Sequence, residues 1–207
     1  MAEVRVIVAN IEKIKCEPED VLGEILPYYT EKFGQYKRRE DAMQELLCGI
    51  LLRKYLDVWK TEQVGYGKDG KPCLRESQRK YNLSHSGKWV VLAVAETEIG
   101  VDIERVRRYH SATARKLFAE KEQRMLEEAE TEEERDTLFT RLWTEWEAVL
   151  KLEGTGFAGG WRENGVDKAQ YAIWTMELDG YFLSIATRNA AEICVTEEGE
   201  FYRFQEM

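Results

Sequence analysis

The stretch Ile99–Glu104, I-G-V-D-I-E, constrains this chain more than any other, because it alternates like a strand yet carries two carboxylates. A strand turns successive side chains to opposite faces, so Val101 and Ile103 enter a core while Asp102 and Glu104 share the other face. Like charges held that close repel one another unless a cation lies between them. Hard oxygen ligands of this kind suit Mg²⁺ or Mn²⁺ better than zinc. An ordinary strand with an acidic wet face gives the same pattern, and the neighbouring segments decide between the two.

The chain has 207 residues, enough for one large domain or two lobes, each with a core. A hydrophobic fraction of 43% with six Trp and only three Pro argues for a globular protein rather than a disordered linker. Cys16, Cys48, Cys73 and Cys194 show no C-x-x-C spacing, so neither a zinc site nor a disulfide framework is indicated. The start, MAEVRVIVANIEKIK, mixes acid with its apolar residues, and no stretch approaches 18 apolar residues; a soluble cytoplasmic protein with no membrane partner is expected. A net charge of −9 argues against general nucleic-acid affinity, although a local basic run can still serve an acidic partner. With His85 and His110 as the only histidines, multi-histidine metal chemistry is nearly excluded, and a Ser-His-Asp arrangement would lean on His85 alone.

Taken in order, Val4–Ala9 alternates as a first strand, and Pro18 with Glu19 and Asp20 marks a helix start that Pro27 ends early. From Tyr36 to Leu56 the apolar residues recur at helical spacing behind Lys37, Arg38 and Arg39, a basic approach that is either a solvated turn or a phosphate grip. Gly65–Pro72 is a loop or hairpin with Lys68 and Lys71 on it, a weak phosphate cue by itself. The polar run N-L-S-H-S, Asn82–Ser86, precedes the buried strand Trp89–Ala95. Ser84, His85 and Ser86 can donate to a phosphate, with His85 gaining charge beside that anion; a satisfied structural histidine reads equally well.

Beyond Glu104, the cations Arg105, Arg107, Arg108, Arg115 and Lys116 form a positive island with no acid until Glu120, and Ser111 is the expected N-cap of a short helix through Phe118. The island is either a solvated helix face or a docking surface for an acidic helix. Thr131-x-x-Glu134 is a capping box opening a helix over Glu132–Leu152, on which Trp143, Glu147 and Lys151 fall at i, i+4 and i+8. Gly154 and Gly156 end it. The segments Tyr171–Leu178, Tyr181–Arg188 and Glu192–Thr196 read as a meander turning at Asp179-Gly180.

Five motifs in order, G-K-P (Gly70–Pro72), N-L-S-H-S, G-V-D-I-E (Gly100–Glu104), F-x-x-x-E (Phe118–Glu122) and W-x-x-x-E-A-x-x-K-x-x-G-x-G (Trp143–Gly156), resemble the Sfp-type 4′-phosphopantetheinyl transferases over Lys37 to Gly156. The resemblance implies an α+β fold of two similar α/β lobes, residues 1–98 and 99–207, related by a pseudo-twofold with the site in the cleft between them, in a monomer. It implies transfer of the phosphopantetheine arm of coenzyme A to a serine of an apo acyl or peptidyl carrier protein, with release of adenosine 3′,5′-bisphosphate. Asp102, Glu104 and Glu147 would hold Mg²⁺, or Mn²⁺ in its place. Glu147 would also serve as base, Lys151 would stabilise phosphate, and His85 would contact a coenzyme A phosphate. Ser84 and the Lys71-Pro72 turn would shape the adenine site, Arg38 and Arg39, with Arg53 beyond them, would be candidates for the 3′-phosphate, and the Arg105–Lys116 island would face the carrier.

Two positions depart from the family pattern: Trp146 stands where the lysine before the helix glutamate is usual, and Ala119 replaces a hydroxyl after Phe118. The first removes a cation near the site and the second a helix cap, typically about 1 kcal/mol. A catalytically weak coenzyme A or carrier-protein binder of the same fold is the alternative. So is a different Mg²⁺-dependent phosphotransfer enzyme built on the same carboxylates.

Overall fold

The computed structural model of the chain describes residues 2–67, 70–155, 166–201 and 204. Its first half runs from strand β1 (Ala2–Asn10) through helices α1 (Pro27–Gln35) and α2 (Arg39–Leu56) to a short hairpin, β2 (Val64–Tyr66) with β3 (Pro72–Leu74). A longer hairpin follows, β4 (Lys80–Ser86) with β5 (Trp89–Ala95). The second half runs from β6 (Ile99–Arg105) through α3 (Ser111–Leu117), α4 (Glu120–Glu127) and α5 (Glu132–Glu153). It ends in the hairpin β7 (Ala172–Leu178) with β8 (Tyr181–Thr187), and then β9 (Ala191–Glu197).

The pairing follows one plan twice. In the first half β1 pairs antiparallel with β5, which pairs with β4; in the second, β6 pairs antiparallel with β8, which pairs with β7. Each half is therefore a strand, a long helix and a hairpin whose second strand takes the middle place. The meander expected after α5 holds only for β7 and β8, because β9 runs back to pair parallel with β1 and completes the sheet order β4-β5-β1-β9. That edge of β1 would otherwise present unpaired N–H and C=O groups, and β9 satisfies them.

Burial explains the layers. One face of α2 buries Leu46, Leu47, Ile50 and Leu51 against Ile7, Ala9, Val90 and Leu92 of the first sheet; each such side chain contributes about 2 kcal/mol by leaving water. The other face of β1, Val4, Val6 and Val8, meets Val101 and Ile103 of β6 and Leu183 and Ile185 of β8. The alternation in I-G-V-D-I-E thus resolves as expected, with Val101 and Ile103 between the two sheets. Helix α5 covers the far side, setting Ala148, Val149 and Leu152 on Ala186 and turning Phe139, Leu142, Trp146 and Leu150 to α3 and α4.

Local signals correct two helix ends. Pro18–Asp20 forms only a single 3-10 turn, since Gly23 follows within a turn and disfavours propagation. Pro27 opens α1 rather than ending a helix, because at the first helical position its missing N–H costs nothing. The cap of α3 is His110, whose Nδ1 accepts from the Thr113 N–H, and Ser111 is the first helical residue. Ala119 caps α4 without a side-chain acceptor, as its missing hydroxyl implies, while Glu122 reaches back to the Ala119 N–H at 2.9 Å.

Candidate active site

The site is built where the edge strands of the two sheets meet. On β4, Asn82, Ser84 and Ser86 point the same way, and each accepts a backbone N–H from β6: Val101 to Asn82 Oδ1 at 2.9 Å, Ile103 to Ser84 Oγ at 3.2 Å and Arg105 to Ser86 Oγ at 3.2 Å. Side chains with a period of two here replace the backbone ladder that two neighbouring strands would normally share. The same hydroxyls then donate to the carboxylates on β6, Ser84 to Asp102 Oδ1 at 2.8 Å and Ser86 to Glu104 Oε2 at 3.3 Å. On its other side β6 lies against α5 at Gly100, where an added Cβ would come 1.9 Å from the Ala148 carbonyl oxygen and 2.5 Å from the Leu152 nitrogen. Only glycine permits that approach, which brings Asp102 within reach of the helix.

Ser84, His85, Asp102, Glu104, Glu147 and Lys151 consequently line one open cleft of about 260 Å³. Lys151 Nζ lies 2.6 Å from Asp102 Oδ1 and 2.8 Å from Ser84 Oγ. Asp102 itself is buried, and its Oδ2 has no hydrogen-bond partner among the described residues. Trp143 stacks under the Arg107 guanidinium at 4.2 Å, and Arg107 reaches Glu104 at 3.9 Å, so the stripe Trp143, Glu147, Lys151 does face protein.

Crowded carboxylates hold protons. Burial first, and the Asp102 charge second, push Glu147 up to about 7, with Lys151 opposing. Burial and Asp102 likewise raise Glu104, against Arg107. His85 is open to solvent on one side, yet desolvation by its surroundings and then the Lys151 ammonium hold it below the ordinary histidine range, with Asp41 and Asp102 pulling the other way. The three acids bring hard oxygen donors, one of them an orphaned buried oxygen, of the chemical kind that a divalent cation takes. Among the described residues, however, no group of three His, Cys, Asp or Glu side chains is placed so that it could hold a metal ion. The cation on Asp102 in this arrangement is the Lys151 ammonium.

The other predicted residues lie around this centre. Lys71 Nζ donates to Glu98 and the Ile99 carbonyl, both at 2.9 Å, and to the Leu152 carbonyl at 3.0 Å, clamping the β3 hairpin to β6 and the end of α5. With Pro72, Tyr81 and Gly154 it lines a second cleft of about 250 Å³ that does not include Ser84. Arg38 and Arg39 stand at the start of α2, Arg38 exposed and paired with Glu40 at 3.2 Å. Asp41, which acts on His85, sits in the same turn. Arg53 stacks on Trp59 at 4.7 Å and pairs with Asp57, about 21 Å along the helix from Arg39. Arg105, Arg107, Arg108, Arg115 and Lys116 are all exposed. Lys68 and Gly156 lie outside the described residues.

Sequence reasoning missed three supports: the Asn82 and Ser86 rungs, the Gln44 side chain that donates to the Gly87 carbonyl at 2.7 Å, and Lys168, which pairs with Glu122 and Glu145. The first was available as polar residues at every second position of N-L-S-H-S. The others involve partners distant in sequence and left no local trace.

Fold and cleft together define an α+β protein with an acid-and-lysine site on the facing edges of two sheets. Residues 98–198 match the 4′-phosphopantetheinyl transferase superfamily. The chain is 30% identical over 190 residues to the 4′-phosphopantetheinyl transferase AcpT of Escherichia coli O157:H7, covering 88% of this chain and 90% of that protein. It is also 30% identical over 148 residues to the 4′-phosphopantetheinyl transferase Sfp of Bacillus subtilis (strain 168), 69% of this chain and 66% of that one. A third relative, ffp of Bacillus subtilis, is 32% identical over 138 residues, 62% and 59% of the two chains. The chain therefore spans less than two thirds of the length of these Bacillus relatives and nine tenths of the enterobacterial one, and it belongs to the 4′-phosphopantetheinyl transferase superfamily.

Proposed function

We propose that this chain transfers the 4′-phosphopantetheine arm of coenzyme A to a serine hydroxyl of an apo acyl or peptidyl carrier protein, releasing adenosine 3′,5′-bisphosphate. The observation that carries the reading is the convergence of Asp102, Glu104, Glu147, Lys151 and His85 on one cleft, in a chain whose relatives bear that transferase name.

Asp102, Glu104 and Glu147 would hold Mg²⁺, which when bound supplies positive charge to the two phosphates of the pyrophosphate. Glu147, which lines the cleft on the face it shares with Lys151, would also take the serine proton as base. As that proton leaves, the serine oxygen bonds to the β-phosphorus, and the bond from this phosphorus to the bridging oxygen breaks. Lys151 donates to the phosphate oxygens, and His85 donates to a coenzyme A phosphate once that anion offsets the Lys151 ammonium. The second cleft, with Lys71 and Pro72, takes the adenine end; the Lys71 ammonium is engaged in its clamp, so its backbone and Pro72 supply the contact. Arg38 and Arg39 approach the 3′-phosphate from α2.

The exposed island Arg105–Lys116 receives the acidic helix of the carrier. The repeated plan of strand, long helix and hairpin supports two lobes related by a pseudo-twofold, meeting near residue 98, in a monomer. No helix among the described residues is long and apolar enough to cross a membrane.

Incubation with Mg²⁺, coenzyme A and an apo carrier should add the arm to serine by intact mass, and a chelator should abolish the gain. Absence of the arm on acyl and peptidyl carriers alike would replace transfer by binding alone.

A further inference from the structure

Outside the cleft, a cluster of largely buried charge joins α4 to α5. Glu122, 8% exposed, is the N3 residue of α4. Its Oε2 accepts from the Ala119 N–H at 2.9 Å and from the Trp146 indole N–H at 3.2 Å. Its Oε1 pairs with the ammonium of Lys168, a residue that belongs to neither helix and comes from the single turn Lys168–Gln170. The same ammonium is 2.8 Å from Glu145 Oε2 and lies over the Trp146 ring, 5.8 Å from its centroid. A carboxylate this deep needs a cation, and Lys168 supplies it.

Glu145 and Trp146 immediately precede Glu147. Successive residues on a helix are turned by about 100°, so groups that grip Glu145 and Trp146 fix the rotation at which Glu147 emerges. Lys168 lines neither cleft; its ion pairs are with α4 and α5. We propose that Lys168 is a positioning residue: by tying Glu122 of α4 to Glu145 of α5 over the face of Trp146, it holds α5 at the rotation that presents Glu147 to Asp102 and Glu104. The inference rests on Glu147 acting in the cleft. Position 146 already reaches Glu122 through the indole, so a lysine there can deliver the same charge from within the helix.

Three variants test this: Lys168→Met, Lys168→Arg and the double variant Trp146→Lys with Lys168→Met, each measured at a temperature where circular dichroism shows it folded. Lys168→Met should lose between about 10- and 100-fold in kcat with the KM for coenzyme A unchanged. Lys168→Arg should retain most of the rate, and the double variant should recover most of what Lys168→Met lost. Wild-type kcat in Lys168→Met, or a double variant no faster than that single one, would overturn the proposal. If the wild-type chain transfers nothing, the transfer reading fails by itself. The positioning claim is then read from Mn²⁺ affinity, which should fall in Lys168→Met and return in the double variant; equal affinity in all three would overturn it.

Discussion

At the scale of single residues the decisive property is how protons and charge are shared inside the cleft. Glu147 titrates near 7 instead of 4.5, first because it is buried and second because Asp102 is close. A folded-state pKa above the unfolded one means that the native chain binds more protons between about pH 4.5 and 7, so this group's contribution to stability falls as pH rises through that window. Urea midpoints of chelator-treated protein should therefore decline more steeply over that range in the wild type than in Glu147→Gln, and equal slopes would count against the assignment. In turnover the same substitution should cost about 10²- to 10⁴-fold in kcat, the usual worth of a general base. His85→Ala removes a donor to a charged phosphate and should weaken coenzyme A binding roughly 10- to 100-fold by calorimetry, with metal affinity unchanged. An unaltered coenzyme A affinity would return His85 to a structural role.

The elements show why these few side chains meet. Strand β6 is held by a side-chain ladder from β4 on one edge, by backbone pairing with β8 on the other, and by contact with α5 at Gly100. Gly100→Ala places a methyl group in the backbone of α5 and should destabilise the fold by about 1–3 kcal/mol or more, with transfer falling in the soluble fraction because Asp102 moves from Lys151. Ser84→Ala leaves the buried Ile103 N–H without its acceptor and removes a partner from Lys151; a loss of about 1–3 kcal/mol in chemical denaturation is expected. Much of this was legible beforehand. The strand with its two acids, the helix stripe of Glu147 and Lys151, and the span of α2 follow from periods of two and 3.6, which burial enforces. What the sequence concealed depends on partners far apart: β9 returning to β1, Lys71 closing on the Leu152 carbonyl, Lys168 on Glu122. Pro27 misled because proline marks both the end of one helix and the start of another.

For the whole molecule, a chain of net charge −9 keeps Arg105, Arg107, Arg108, Arg115 and Lys116 exposed, the surface proposed to receive the carrier. Opposite charge steers encounter, so Arg105→Glu with Arg108→Glu should raise the KM for an acidic carrier at least about tenfold and flatten its salt dependence, leaving coenzyme A affinity intact. Equal losses for both substrates would place the effect in the cleft instead. The repeated strand, helix and hairpin explain why the acids come from both a strand and a helix of the second half while their hydroxyl supports come from the first. Everything depends on Asp102, Glu104 and Glu147 sharing one divalent ion, and titration of Mn²⁺ followed by electron paramagnetic resonance tests this directly. A single site is predicted in the wild type, weakened by each of Asp102→Asn, Glu104→Gln and Glu147→Gln; an ion bound as tightly by all three variants would contradict it.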